Sequence, residues 1–341
     1  MMNRIAIWGA GSLGTILGAY ISKAGLDVTL IDAYKEHVDT LNTKGAHVTG
    51  FVDMTVPVKA AMPEDVQGEF DLIIYMAKQT YNETAIPQIV SHCHKDTIIC
   101  TCQNGIPELA VAKAWPKSQI CGAPVGWGAT FKGPGESELT SEPDAMTFHL
   151  GSVEGPAYPW VYEVQKVLEC MCPTHVSENL MGDRWAKVLI NSAFSGMSTV
   201  IGGTFGDVMD DPIGVVCLAR IAGETVRACT ASGVKMESFA GIDFTQVFGY
   251  PVGDKEAEAK VTAMIPVAFK AHRSLEASML QDLRKGRKCE IAQIDGVVAE
   301  TGDEFGVDTP FVDMVIKVVS EIEDGKRTYT KENLKEFAPM V

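Results

Sequence analysis

Gly9-Ala10-Gly11-Ser12-Leu13-Gly14 is the stretch on which the fold of this chain turns. The residues before it run toward apolar from Asn3 to Ile7, and a periodic segment from Thr15 to Ala24 follows. That order reads strand, tight turn, helix. It is the setting in which glycines spaced G-x-G-x-x-G signal a dinucleotide site. Gly9 permits the turn, Gly11 lets backbone approach a pyrophosphate, and Gly14 lets the helix pack close to the strand. Ser12, Leu13 and Gly14 then offer free N–H groups at a helix start, where aligned peptide dipoles favour an anion. Taken alone, the glycines describe only a tight strand-to-helix turn. Here a second strand, Asp27 to Ile31, ends on Asp32. An acidic residue about 20 positions past the glycines is where a ribose contact is expected.

Composition narrows the classes. The chain has 341 residues, 46% hydrophobic and 21% charged, which suits two globular domains. A net charge of −15 makes nucleic acid and anionic membrane poor partners, so neither is expected. An anionic substrate would need a local cationic pocket working against that field. The apolar start is broken by the glycine turn and hydroxyl residues and lacks a convincing cleavage site, so it does not read as a signal peptide. No apolar run of about 18 residues is present to span a membrane. Nine cysteines form no regular framework, and a reducing cytoplasm is the simpler setting. Cys100 and Cys102, Cys170 and Cys172, and His92-Cys93-His94 lack the paired C-x-x-C spacing of a zinc site. They read as small core residues, and no metal is expected.

Strands are expected at Arg4–Trp8, Val28–Ile31, Asp71–Met76 and Thr97–Cys102, with helices near Gly14–Ala24, Lys35–Thr43 and Thr84–Val90. Such alternation implies a parallel sheet with right-handed crossovers. Gly9, Asp32, Lys78 and Asn104 stand at strand ends, which hold the ligand in such folds. Gly133-Pro134-Gly135 reads as a turn between two later strands, and His149–Gly151 as the end of that region. From Glu178 onward the pattern is helical: a face through Trp185, Val188, Leu189 and Ser192, then long helices over Ile213–Ser232 and Glu256–Leu283. Gly286 interrupts, Cys289–Thr301 resumes, Gly306 and Pro310 turn the chain, and Phe311–Glu323 follows. The charged tail, Asp324–Val341, reads as peripheral. The fold class is therefore α/β: a Rossmann-type dinucleotide-binding domain over residues 1–177, then an all-helical domain over 178–341 for substrate binding and dimerisation.

Lys187 and Asn191 are four residues apart and share a helix face, and Ser195 lies four further on. A polar stripe on an otherwise apolar helix lines a cavity or finds partners, because unpaired burial is costly. The alternative is a lysine snorkelling at a helix edge. Glu290 lies just after the Gly286 break, in the expected first turn of the next helix. There a carboxylate is stabilised by the helix dipole, a structural role that competes with a catalytic one.

Further pieces accumulate in order along the chain: Lys78 after the third strand, Gln103-Asn104-Gly105 after the next, and Trp185-x-Lys187 leading to Asn191. Then come Ser278-Met279-Leu280-Gln281-Asp282-Leu283-Arg284-Lys285-Gly286-Arg287, Cys289-Glu290-Ile291, Asp295-Gly296 and Gly306-Val307-Asp308-Thr309-Pro310. With these the chain resembles the ketopantoate reductases (2-dehydropantoate 2-reductases) over nearly its whole length. The resemblance implies reduction of a 2-keto acid by a nicotinamide cofactor, most simply ketopantoate to pantoate in the cytoplasm. It implies Lys187 as proton donor to the keto oxygen and Glu290 as the acid that contacts substrate and supports that lysine. Asn104 would lie near the nicotinamide and the reacting carbonyl, Asn191 and Ser278 would bind substrate hydroxyl and carboxylate groups, and Lys78 would line the cofactor cleft. A cationic ammonium beside a carbonyl that gains charge is sound chemistry for this step.

Two departures modify the expectation. Many relatives have a basic or small residue after the second strand and use NADPH, whereas this chain has Asp32. A carboxylate accepts bonds from ribose hydroxyls and repels a 2′-phosphate, so among NAD(P)H cofactors NADH is favoured. Lys35 is the counter-argument, since it could reach a phosphate. Ser195 and Asp295 stand where relatives often have Asn. Ser195 would face the distal part of the substrate, which leaves another branched 2-keto acid open, or a dehydrogenase running toward oxidation. A nicotinamide-binding sensor without catalysis is the reading from another class, and the retained proton donor speaks against it. Apolar helix faces in the second domain are compatible with a homodimer.

Overall fold

The computed structural model describes residues 2–239 and 241–341. It resolves into two compact units: one of residues 1–103 and 107–180, the other of residues 104–106 and 181–341.

The first unit is built on β1 (Ile5–Trp8), α1 (Ser12–Lys23), β2 (Val28–Ile31), α2 (Lys35–Lys44), β3 (Ala46–Gly50), β4 (Met54–Val56), β5 (Lys59–Ala61) and β6 (Phe70–Tyr75). It continues through α3 (Asn82–Ser91), β7 (Cys93–Thr101), α4 (Glu108–Val111), β8 (Ile120–Gly122), β9 (Ala129–Gly133), β10 (Glu136–Leu139), β11 (Phe148–Ser152), α5 (Val161–Leu168) and β12 (Thr174–Val176). The main sheet has the order β12-β11-β8-β7-β6-β1-β2-β5. β1 lies between β2 and β6, parallel to both, with Ile5 opposite Val28 and Leu72. Only β11 runs antiparallel to its neighbour β8. Every residue of β1 is buried, and alternate side chains feed two separate cores. Ile5 and Ile7 join Leu30, Leu72 and Ile74 on one face, while Ala6 and Trp8 join Ile31, Ile73 and Tyr75 on the other. This is why such a strand reads as a continuous apolar run: a parallel sheet is covered on both sides.

A second sheet of order β4-β3-β10-β9 is absent from the expectation. Its strands are three to five residues long, too short to show a period. The Gly133-Pro134-Gly135 turn does join two of them, antiparallel β9 and β10. α1 packs against both sheets.

The second unit contains α6 (Leu180–Ile190), α7 (Gly196–Ile201), α8 (Phe205–Met209), α9 (Pro212–Ala231), α10 (Phe244–Phe248), α11 (Lys255–Ala268), α12 (Ser278–Arg284), α13 (Ile291–Phe305) and α14 (Pro310–Glu323), with Leu180 itself assigned to the first unit. α9 is the hub, packed by α8, α10, α11, α13 and α14. The Asp211 carboxylate starts it by accepting the N–H groups of Ile213 and Gly214, with Pro212 at the first helical position.

Two sequence expectations fail here. Glu256–Leu283 is not one helix: α11 ends at Ala268, shortly after Pro266, and α12 begins only at Ser278. Pro266 lacks the N–H that the ladder needs, so the apolar period outlasts the helix. The tail is not peripheral either. Leu334 and Phe337 are buried in the helical core, and Asn333 donates to the Val200 and Thr328 carbonyls. Interspersed Lys and Glu hide two core residues in a segment of high charge.

Candidate active site

In the first unit the three glycines each face a different constraint. Gly9 has φ +101°, and a Cβ there would lie 2.2 Å from the Ala77 backbone nitrogen. A Cβ on Gly14 would lie 2.2 Å from the Gly9 carbonyl oxygen. Gly11 is the contrary case, with nothing within 4 Å of a Cβ. Gly9 takes the turn, Gly14 the close packing, and Gly11 stands clear. α1 begins at Ser12 without a side-chain cap, so its leading N–H groups face that open space. These features fit a dinucleotide pyrophosphate.

Asp32 follows β2 and is half-buried. Its Oδ1 accepts the Tyr34 N–H at 2.9 Å, which holds the carboxylate in a fixed orientation. Lys35 does not turn toward it: its ammonium pairs with Asp39 at 2.8 Å, one helical turn along α2. Lys78 follows β6 and is half-buried, in extended conformation before a short 3₁₀ turn. Gln103 Nε2 donates to the Ala77 carbonyl at 2.6 Å, linking the ends of β7 and β6 beside Gly9.

In the helical unit α6 carries Lys187, half-buried among buried Trp185, Ala186, Val188 and Leu189. The helix does not continue as α. Residues Asn191–Ser195 form a π turn before α7 takes over. In an α-helix a stripe at every fourth residue drifts about 40° per step. A π turn rotates less per residue and takes that drift back, so Ser195 returns toward the line through Lys187 and Asn191. Asn191 is half-buried and Ser195 is buried.

The π turn is braced from α13. Ser192 Oγ donates to Asp295 Oδ1 at 2.8 Å, and Asp295 is fully buried. Its other oxygen has no hydrogen-bond partner, and burial pushes the carboxyl well above the usual carboxylate range. Burial thus favours the protonated form of this side chain.

Glu290 sits one residue earlier than expected, at the N-cap of α13 rather than in its first turn. Its carboxylate makes no capping bond to that helix. Its place at the helix start still suits the structural role, stabilisation by the helix dipole, alongside the catalytic one. Glu290 is 6% exposed, and its Oε2 accepts from Asn104 Nδ2 at 3.5 Å, across 186 residues of sequence. Ser278 opens α12 and is exposed; α12 packs on the π turn. One unit therefore brings together Asn104 with Glu290, and Lys187 with Asn191 and Ser195. All nine cysteines are free thiols. Among the described residues, no cluster of three or more His, Cys, Asp or Glu could hold a metal ion. No helix among them is long and apolar enough to cross a membrane.

A residue that sequence reasoning missed is His37 on α2. It is 1% exposed and reaches Ala10 in the glycine turn. Its partners lie 22 to 98 positions away, so no local pattern announces it.

Comparison with known proteins agrees with both units. Residues 5–153 match the family described as ketopantoate reductase PanE/ApbA, and residues 179–323 match its C-terminal domain. The chain belongs to the ketopantoate reductase family of nicotinamide-dependent oxidoreductases. A 2-dehydropantoate 2-reductase from Streptococcus pyogenes serotype M3 is 26% identical over 92% of this chain and 96% of its own length. One from Archaeoglobus fulgidus is 24% identical over 95% and 99%. Among solved structures, a PanE/ApbA family ketopantoate reductase from Ralstonia eutropha superposes with a TM-score of 0.79 at 22% identity, covering 95% of this chain and 99% of that one. A D-mandelate dehydrogenase solved with NADH and anilino(oxo)acetate gives 0.78 at 24% identity, covering 94% and 99%.

Proposed function

We propose that this protein reduces a 2-keto acid to the 2-hydroxy acid, with NADH preferred and ketopantoate the leading substrate. The observation that carries the reading is the pairing of Asn104 with the buried Glu290 carboxylate, in the unit that also carries the Lys187–Asn191–Ser195 face. The glycine turn supplies the dinucleotide's anchoring groups, and the dinucleotide supplies the hydride when bound. Lys187, as an ammonium, stabilises the charge that develops on the keto oxygen and then gives it a proton. Glu290 keeps that lysine charged before reaction and, with Asn104, orients the substrate. Asn191 and Ser278 offer hydrogen bonds to the substrate's hydroxyl and carboxylate. Asp32 would accept from the ribose hydroxyls, and Lys35 points along α2 to Asp39 rather than toward Asp32.

A second reading is a different branched or aryl 2-keto acid. It is favoured by Ser195, which leaves more room than Asn, and by the likeness in fold to the D-mandelate dehydrogenase. A substrate panel followed by nicotinamide absorbance decides between them. Ketopantoate should give the highest kcat/KM with NADH. A higher value for another 2-keto acid selects the second reading, and no turnover of any keto acid despite NADH binding refutes both.

A further inference from the structure

We infer that His37 is a positioning residue for the dinucleotide, acting through the peptide that joins Ala10 to Gly11. This rests on the proposal that the glycine turn holds a nicotinamide dinucleotide.

Three hydrogen bonds fix the imidazole, and a fourth shares its acceptor. The Gly135 N–H donates to Nδ1 at 2.9 Å. A backbone N–H can only donate, so Nδ1 accepts and the ring proton stands on Nε2. Nε2 lies 2.7 Å from the Ala10 carbonyl oxygen, which can only accept, and the two assignments agree. Nε2 also lies 3.1 Å from Thr15 Oγ1, and that hydroxyl donates to the same Ala10 carbonyl at 2.6 Å. Thr15 is fully buried, and the rings of Tyr34 and Phe131 pack on His37.

One carbonyl at the centre of the glycine turn therefore takes two donors from inside the protein. In a planar trans peptide the C=O and N–H point in opposite directions. Anchoring the Ala10 oxygen inward directs the Gly11 N–H outward, toward the open space before Gly11 and the start of α1. His37 thus sets the direction of a donor that an anion would use, without touching the anion. It also ties that turn to the β9–β10 hairpin through Gly135, which has φ +76° and cannot readily be replaced.

Two substitutions separate the two ends of the ring. His37→Gln keeps a donor where Nε2 stands and loses the Nδ1 acceptor. His37→Asn keeps an acceptor where Nδ1 stands and loses the donor to Ala10. NADH affinity is read by quenching of protein fluorescence. Amide exchange of the segment from Gly9 to Leu17 is read in cofactor-free protein. His37→Asn should weaken NADH about tenfold and speed exchange of the turn, while His37→Gln stays within about threefold of the parent. Thr15→Val, which removes the other donor to the same carbonyl, should change both readouts in the direction of His37→Asn. Equal behaviour of the Gln and Asn variants overturns the proposal. If the Asn variant does not fold, unchanged affinity and exchange in Thr15→Val overturn it. A parent chain with no NADH affinity would remove the cofactor reading itself, and the exchange comparison would still decide what His37 does to the turn.

Discussion

Two helix starts in this molecule face the same physical problem and answer it oppositely. α14 opens against a side chain of its own protein: the Glu224 carboxylate accepts the Phe311 and Val312 N–H groups at 3.1 and 2.9 Å. α1 opens with no side-chain cap, behind a glycine that leaves clear space. Helix N-termini attract negative charge in both cases. In one the anion is built in, and in the other the backbone is arranged to receive one. The contrast extends to the units around them. The first unit prepares its site with backbone direction and steric clearance, whereas the second prepares its site with side chains carried on helices.

Breaking the side-chain site should give the largest effect. Lys187→Ala is expected to lower turnover by about 10²–10⁴-fold, the usual worth of general acid catalysis, while NADH binding and the circular dichroism spectrum persist. A loss under about tenfold would move the proton donor elsewhere.

Next comes a pair of identical chemical changes in the backbone site. Gly9→Ala forces a positive φ and a backbone clash, so it should destabilise the chain by at least about 3 kcal/mol in urea unfolding. Gly11→Ala meets no atom and should alter stability by less than about 1 kcal/mol, yet weaken NADH about tenfold or more. If Gly11→Ala left NADH affinity intact, the backbone would not be receiving the pyrophosphate there.

The occupied helix start carries a pH signature. Burial raises the Glu224 carboxyl from 4.5 to about 7, against the opposing pull of the two N–H donors. A folded value above the unfolded one contributes stability below pH 4.5 that is lost as pH rises through about 7. From pH 5 to 8 the parent should therefore lose on the order of 2–3 kcal/mol relative to Glu224→Gln, whose side chain does not titrate. Thermal melts of both proteins across that range check this, and parallel curves would refute it.

The smallest effects concern the ribose end. Asp32→Ser should narrow the preference for NADH over NADPH by about tenfold in kcat/KM, roughly the worth of one charge-assisted bond. Lys35→Ala should leave the ratio unchanged and cost under about 0.5 kcal/mol, because exposed i,i+4 pairs are weak.

What the sequence disclosed follows the same division. β1, the glycine turn, α1 and β2 are legible because the G-x-G-x-x-G spacing and the mostly apolar strands beside it are local in sequence, even though the contact that constrains Gly9 comes from Ala77. The Lys187–Asn191 face is legible because helical spacing places it. The π turn is not, since an α and a π segment share one apolar pattern and differ in a bond across five residues. β3, β4, β9 and β10 are too brief to reveal a period. Glu290 could be found only by resemblance, because its partner Asn104 lies 186 positions away. Asp295 stands out in sequence only against relatives, and what burial does to its carboxyl shows only in the fold.

The π turn has a consequence for how this enzyme's selectivity can change. Such a turn is an ordinary helix holding one surplus residue. Deleting a single position between 191 and 195 would let the ladder close normally, and because the surplus residue is absorbed within the turn, the segments on either side would keep nearly their present directions. A change in chain length, with no new type of side chain, would then re-aim Asn191 and Ser195 while Lys187 keeps its direction.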